Sequence, residues 1–260
     1  MCKQAWLIGV MALLLVGCQP GQSRMSTDGT YPKPAYQASI AGWSVQNRPI
    51  MVQVYGSGDD IVLLMAGIHG NEAAGIPILE RLGKELMAHP QLLAGRTVIL
   101  MPNANPDGVK ANIRRNVNGI DLNRNFPADN FDASKGHGEA PLSQPESRAI
   151  LAVIEKYEPS RIITYHQPLK CIDYDGEGAQ ALAEAMGEHT DLPVKRLGGR
   201  PGSLGSYFGI DHNIPCITFE LPKNATGKTS EALWDLYGLA TLASVVYPKA
   251  VPEEFLEAVE

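Results

Sequence analysis

The chain contains no run of Lys or Arg longer than two residues, and its formal net charge is −6 at pH 7. Without a basic stripe to gather phosphates, nucleic acid is excluded as a partner. Gly202-Ser203-Leu204-Gly205-Ser206 lacks the Gly-x-Ser-x-Gly order of a nucleophile elbow, which removes the obvious route to serine catalysis. No internal repeat is present, and no linker interrupts the chain beyond residue 40. What is there suffices for one large core: 260 residues, 44% hydrophobic and 19% charged, an ordinary balance for a globular enzyme.

A membrane-spanning run is also lacking. Lys3 precedes an apolar stretch from Ala5 to Val16, shorter than the roughly 20 residues a spanning helix needs. With Leu15-Val16-Gly17-Cys18 at its end, the segment reads as an export signal, residues 1–17. The small-residue site followed by cysteine resembles a bacterial lipobox, with cleavage before Cys18 and lipid attached to that thiol. By resemblance to bacterial lipoproteins generally, Gln19 in the following position implies a periplasmic protein anchored to the outer membrane, with a soluble periplasmic protein as the alternative. Cysteine is scarce, four in all. Cys2 leaves with the signal and Cys18 carries lipid, so Cys171 and Cys216 meet an oxidising compartment either as one disulfide or as two buried thiols.

Residues 18–40 are polar and rich in Pro, Gly and Ser, as expected of a lipidated N-terminus and tether. Residues 41–260 form the expected catalytic domain. Met51 to Tyr55, Ile61 to Ala66, Thr97 to Met101, Arg161 to Tyr165 and Ile217 to Leu221 are rich in branched apolar residues and predict strands. The unbroken apolar run from Ile61 predicts a central strand covered on both faces. Between them, Glu72 to Met87 repeats apolar residues at Ile76, Leu79, Leu82 and Leu86, a helical spacing. Ser143 and Glu146 read as a capping box before a helix from Ala149 to Tyr157, and Thr229 to Val246 predicts a C-terminal helix. Alternating strands and helices predict an α/β sandwich.

Two strand ends carry chemistry. The strand from Ile61 runs into Gly67-Ile68-His69-Gly70-Asn71-Glu72, and ligands collect beyond the carboxyl ends of strands in such sheets. His69 and Glu72, three residues apart, share one side of a helical turn. The strand from Arg161 ends in His166. Two His and one Glu are an established ligand set for catalytic zinc, with the fourth position left to water. In the strand Ile217-Thr-Phe-Glu220-Leu, a carboxylate stands where an apolar residue is expected. A buried carboxylate needs a partner or a task, and beside zinc Glu220 can act as general base. The Arg- and Asn-dense segment from Arg114 to Phe126 suits recognition of a carboxylate, or is simply a solvated loop.

His69-x-x-Glu72, Asn105-Pro-Asp-Gly108, Asp121-Leu-Asn-Arg-Asn125, the strand-end His166 and Thr218-Phe-Glu220 occur in this order, and together they resemble the zinc metallocarboxypeptidase family. The resemblance implies a single α/β domain with a central mixed β-sheet flanked by helices on both faces, and one Zn²⁺ per chain on His69, Glu72 and His166. It further implies that Arg114 polarises the scissile carbonyl, that Asn123 and Arg124 bind the substrate's terminal carboxylate, and that Asp121 supports a zinc histidine. Arg115, next in sequence to Arg114, competes for its role. A flexible-loop tyrosine of the digestive members has no counterpart in Gly198-Gly199-Arg200-Pro201-Gly202. Within the family the chain is most similar to bacterial murein peptide amidases, which implies cleavage between γ-D-glutamate and meso-diaminopimelate. The alternatives are another peptide specificity, a deacylase of the aspartoacylase and succinylglutamate desuccinylase branch, or a cell-wall binding lipoprotein without turnover.

Overall fold

The computed structural model describes residues 33–256; the signal segment and Cys18 lie outside them. Eight strands form one sheet: β1 (Tyr36–Trp43), β2 (Pro49–Gly56), β3 (Asp60–Met65), β4 (Arg96–Met101), β5 (Arg161–His166), β6 (Leu169–Asp175), β7 (Val194–Lys195) and β8 (Cys216–Pro222). Their spatial order is β1-β2-β4-β3-β5-β8-β6-β7. The central strands β4, β3, β5 and β8 run parallel, whereas β2 pairs antiparallel with β1 and β4, and β6 pairs antiparallel with β8 and parallel with β7, so the sheet is mixed.

Helices cover both faces. Alternate residues of β3 serve opposite sides, Val62 and Leu64 packing with helix α1 (Gly75–Ala88) and Leu63 and Met65 toward the other layer. This is why the strand is apolar throughout. Between α1 and the later helices lies the short α2 (Pro106–Ala111). The α1 face also receives α4 (Ala179–Gly187) and α5 (Ser230–Val246). Helix α3 (Pro145–Tyr157) and a π-helical turn, Gly205–Asp211, cover the opposite face. The expected sandwich of helices on both sides of a mixed sheet is the observed fold.

Several expectations are corrected. Strand β1 begins at Tyr36 and pairs it with Tyr55, so the domain starts inside the segment assigned to the tether, earlier than residue 41. Helix α1 begins at Gly75, not at Glu72. The Ser143/Glu146 capping box does not form: α3 is preceded by Gln144 with no side-chain cap. Glu146 is instead fully buried, accepting hydrogen bonds from Val45 N–H (3.0 Å) and Asn116 Nδ2 (3.1 Å). Cys171 and Cys216 are free. They sit on adjacent antiparallel strands, but Cys171 faces Glu220 while Cys216 faces Asp175. Four residues of offset separate them by roughly 14 Å at about 3.4 Å per residue, and a disulfide tolerates less than about 7 Å between Cα atoms.

Candidate active site

β3, β5 and β8 end side by side. His166 and Glu220 are paired positions on β5 and β8, so both side chains leave the same face of the sheet. His69 arrives from the turn after β3. That turn is closed by Glu72 N–H donating to His69 O at 3.1 Å, which gives the pair the i, i+3 geometry expected of a helix without a helix. The chain bends there because Glu72 Oε2 also accepts from Gln167 N–H at the end of β5 (3.1 Å). Gly70 permits the bend: a Cβ on it would lie 2.0 Å from the Gly108 carbonyl carbon. Asn105 braces the same contact, donating to Ile68 O (3.2 Å) and accepting from Gly108 N–H (3.0 Å).

Three buried donor atoms converge. His69 Nδ1 and His166 Nδ1 lie 2.8 and 3.0 Å from Glu72 Oε2, and 3.1 Å from each other. Two ring nitrogens facing one another over a carboxylate oxygen form the donor set that a tetrahedral divalent cation takes, and these residues fit one. On the far side of the ring, His69 Nε2 meets Asp121 Oδ1 at 3.0 Å. A proton held there leaves the Nδ1 lone pair pointing inward.

The charges make the point where these atoms meet favourable to a cation. Burial opposes ionisation of Glu72, but hydrogen bonds to His166 and His69 outweigh it and hold the carboxyl below the usual range. Asp121 is likewise held low, the His69 contact and charge overcoming burial. Burial would lower His69, yet its bonds to Asp121 and Glu72 raise it. Glu220 is pushed up by burial, against His166 and the Leu169 N–H that it accepts at 3.2 Å.

Of the two adjacent arginines, Arg114 faces the site. It donates to Glu72 Oε1 (2.6 Å) and Asp121 Oδ2 (3.2 Å) with 43% of its side chain exposed, so substrate can reach it. Arg115 bonds only the backbone of Gly119 at the surface. The Asn-rich loop divides in the same way. Asn116 and Asn125 are fully buried and serve loop architecture, through Gln144, Glu146, Ser143 and backbone carbonyls. Asn123 and Arg124 instead line a cavity of about 400 Å³ together with His69, Glu72, Arg114, His166 and Glu220. Asn123 Oδ1 is fixed by Leu204 N–H at 2.9 Å, which leaves its amide N–H groups to the cavity.

The cavity continues past these residues to Asp173, Asp175 and Arg200, none of them expected from the sequence to belong to the site. The signal for the two aspartates is the alternation Cys171, Asp173, Asp175 along β6, legible only once β6 is known to be a strand of this sheet. No tyrosine lines the cavity among the described residues.

A mixed α/β sheet with two histidines and a glutamate converging at its strand ends, beside a buried glutamate and an arginine-lined cavity, is the build of a metallopeptidase. The family model "Zinc carboxypeptidase" matches residues 27–180, more than half of the chain. The chain is 33% identical over 198 residues to murein peptide amidase A of Escherichia coli K12, covering 69% of this chain and 78% of that protein. To murein peptide amidase A of Vibrio campbellii it is 28% identical, covering 78% and 84%. The crystal structure of murein-tripeptide amidase from Escherichia coli O157 superposes with a TM-score of 0.60 at 27% identity, over 80% of this chain and 91% of that one. The carboxypeptidase A of Helicoverpa armigera shares the fold, with a TM-score of 0.64 at 17% identity over 82% of this chain and 69% of that one. The protein belongs to the zinc carboxypeptidase family and is a peptide hydrolase.

Proposed function

We propose that this protein is a zinc-dependent amidase that releases meso-diaminopimelate from murein peptides by hydrolysing the bond to γ-D-glutamate. The observation that carries the reading is the meeting, in one cavity, of the His69, Glu72 and His166 donor atoms with Glu220, Arg114, Asn123 and Arg124. Relatives named murein peptide amidase, matched over most of the chain, support the substrate class.

Zinc held by His69, Glu72 and His166 supplies a Lewis acid for the carbonyl and lowers the pKa of water. The chain's own residues do the rest. Arg124 and Asn123 bind the terminal carboxylate and set the scissile bond in the cavity. Arg114 turns its exposed edge to the carbonyl oxygen and stabilises the negative charge that develops there. Glu220 removes a proton from the attacking water and delivers it to the departing amine as the C–N bond breaks. Asp121 keeps His69 in the required tautomer.

The direct test is incubation of the zinc-loaded full-length protein with L-Ala-γ-D-Glu-meso-diaminopimelate and with a panel of ordinary C-terminal dipeptides. Free diaminopimelate is the expected product. Turnover of the panel alone would replace this reading with an ordinary carboxypeptidase, and turnover of acylated amino acids with a deacylase. Arg124→Ala is expected to raise KM for the tripeptide about 10²-fold, as an Arg–carboxylate hydrogen-bonded pair is worth roughly 2–3 kcal/mol, with kcat less affected. Amidating the terminal carboxylate should weaken the wild type equally and leave the variant unchanged. A variant that still discriminates the amidated peptide rules out Arg124 as its receptor.

We further propose that the protein works in the periplasm, tethered to the outer membrane through lipid on Cys18. What supports this is the apolar segment ending in Leu15-Val16-Gly17-Cys18. Mass spectrometry of the mature N-terminus should find a lipid-modified Cys18; an unmodified residue at another cleavage site would point to a soluble periplasmic enzyme.

A further inference from the structure

Three rows of side chains cross β5, β8 and β6 on the face that bears the site. His166, Glu220 and Cys171 share the first, Thr164, Thr218 and Asp173 the second, and Ile162, Cys216 and Asp175 the third. At about 3.4 Å per residue, the second row lies roughly 7 Å and the third roughly 14 Å behind Glu220. The cavity floor therefore runs from the metal ligands to an acidic end.

Asp175 is only 4% exposed, and its Oδ1 meets no hydrogen-bond partner. Such a carboxylate oxygen weakens a fold unless something arrives to pair it. The backbone around it is shaped to keep it there. A Cβ on Gly205 would lie 2.3 Å from Asp175 Oδ2, and one on Gly209 would lie 2.6 Å from its Cβ, so two glycines on the π-helical turn clear the space that the side chain occupies. Asp173 stands one row nearer the metal ligands, its Oδ1 fixed by N–H groups of Leu197 (2.7 Å) and Tyr174 (3.0 Å). Burial foremost, and then Asp173, push Asp175 up to about 6, with Arg196 opposing; Cys216 on β8 is the other titratable group beside it. Arg200 lines the same cavity, and its charge reaches both Arg124 and Asp173.

Resting on the reading that a peptide is cut in this cavity, we propose that Asp175, with Asp173, receives the side-chain ammonium of the released residue, and that Arg200 receives a carboxylate at the same side-chain end. The subsite is thus built for a zwitterionic side chain, that of a diamino dicarboxylic acid. An aliphatic side chain leaves Asp175 unpaired, and a lysine leaves Arg200 unpaired. A site with a buried group waiting for a partner discriminates strongly against a ligand that lacks it.

The test compares kcat/KM of the zinc-loaded full-length enzyme on murein tripeptides ending in meso-diaminopimelate, in α-aminopimelate, which lacks the distal amine, and in lysine, which lacks the distal carboxylate. The wild type is expected to favour diaminopimelate over α-aminopimelate by on the order of 10²-fold. Asp175→Asn should abolish that preference by slowing the diaminopimelate substrate alone, and Arg200→Ala should abolish the preference over lysine. Equal rates on the two pimelates in the wild type, or an equal loss on both in Asp175→Asn, would overturn the assignment.

Thermal unfolding gives an independent reading without turnover. A carboxyl whose folded pKa is raised contributes stability that is full below its unfolded pKa and is lost as pH rises through the folded value. Asp175→Asn should therefore melt higher than wild type at pH 8 and no higher at pH 4. A lower melting temperature at pH 8 would reveal a protein partner for Asp175 and sink the proposal. If the wild type cuts no murein peptide, the functional reading fails separately, and the subsite is then judged on α-linked peptides ending in lysine or norleucine. A lysine preference lost in Asp175→Asn upholds it, and absence of that preference overturns it.

Discussion

Glu220→Gln is expected to keep one zinc per chain and to lower kcat by about 10²- to 10⁴-fold, the range over which a positioned general base acts. That corresponds to roughly 3–5.5 kcal/mol of barrier. The substitution changes little else. An amide oxygen can still accept the Leu169 N–H that Glu220 accepts at 3.2 Å, and the three converging donor atoms on His69, Glu72 and His166 are untouched. KM should stay within a few-fold of wild type, because docking of the terminal carboxylate is assigned to Arg124 and Asn123. Metal content by elemental analysis and kcat on the murein tripeptide check the expectation together. A variant turning over within a factor of a few of wild type would remove Glu220 from the chemistry.

His166→Ala removes one of the three donor atoms and should abolish both zinc retention and turnover. Even partners one shell out from a metal change its affinity about 10- to 100-fold when removed, so loss of a ligand exceeds that. The effect has a stability readout. Zinc binding the folded chain at a free concentration 1,000 times its Kd stabilises by about 4 kcal/mol, roughly 10 °C for a domain of this size. The wild type should show that rise on addition of zinc, and His166→Ala should show none. His166 is 2% exposed, so the variant also leaves a small void, and its melting temperature is best compared with that of zinc-stripped wild type. A zinc-dependent rise as large in the variant would mean that the ion sits elsewhere.

The elements legible in the sequence are those whose pattern has one reading. β3 is apolar on both faces because both are covered, and α5 begins where Thr229 accepts from Ala232 N–H (3.2 Å) and caps it. The elements that escaped have patterns set by their neighbours. β1 lies at the sheet edge with much of YQASIAGW exposed. In β6 the residues facing the cavity include Asp173 and Asp175 where a buried strand would show apolar ones. Ser143 and Glu146 have the spacing of a capping box, but Asn125 and Asn116 compete for their side chains, and long-range partners prevailed over the local bond.

By itself the sequence determined the family and its chemical inventory. His69, Glu72, His166 and Glu220 stand at or near strand ends, where backbone pairing stops and side chains are free to meet a ligand. Only the tertiary structure decided which of two neighbouring arginines faces the site, that the two cysteines are too far apart to bond, and that an unpaired aspartate closes the far end of the cavity. Each of these depends on which strand lies beside which and in what register, and register is set by contacts between residues far apart in the chain.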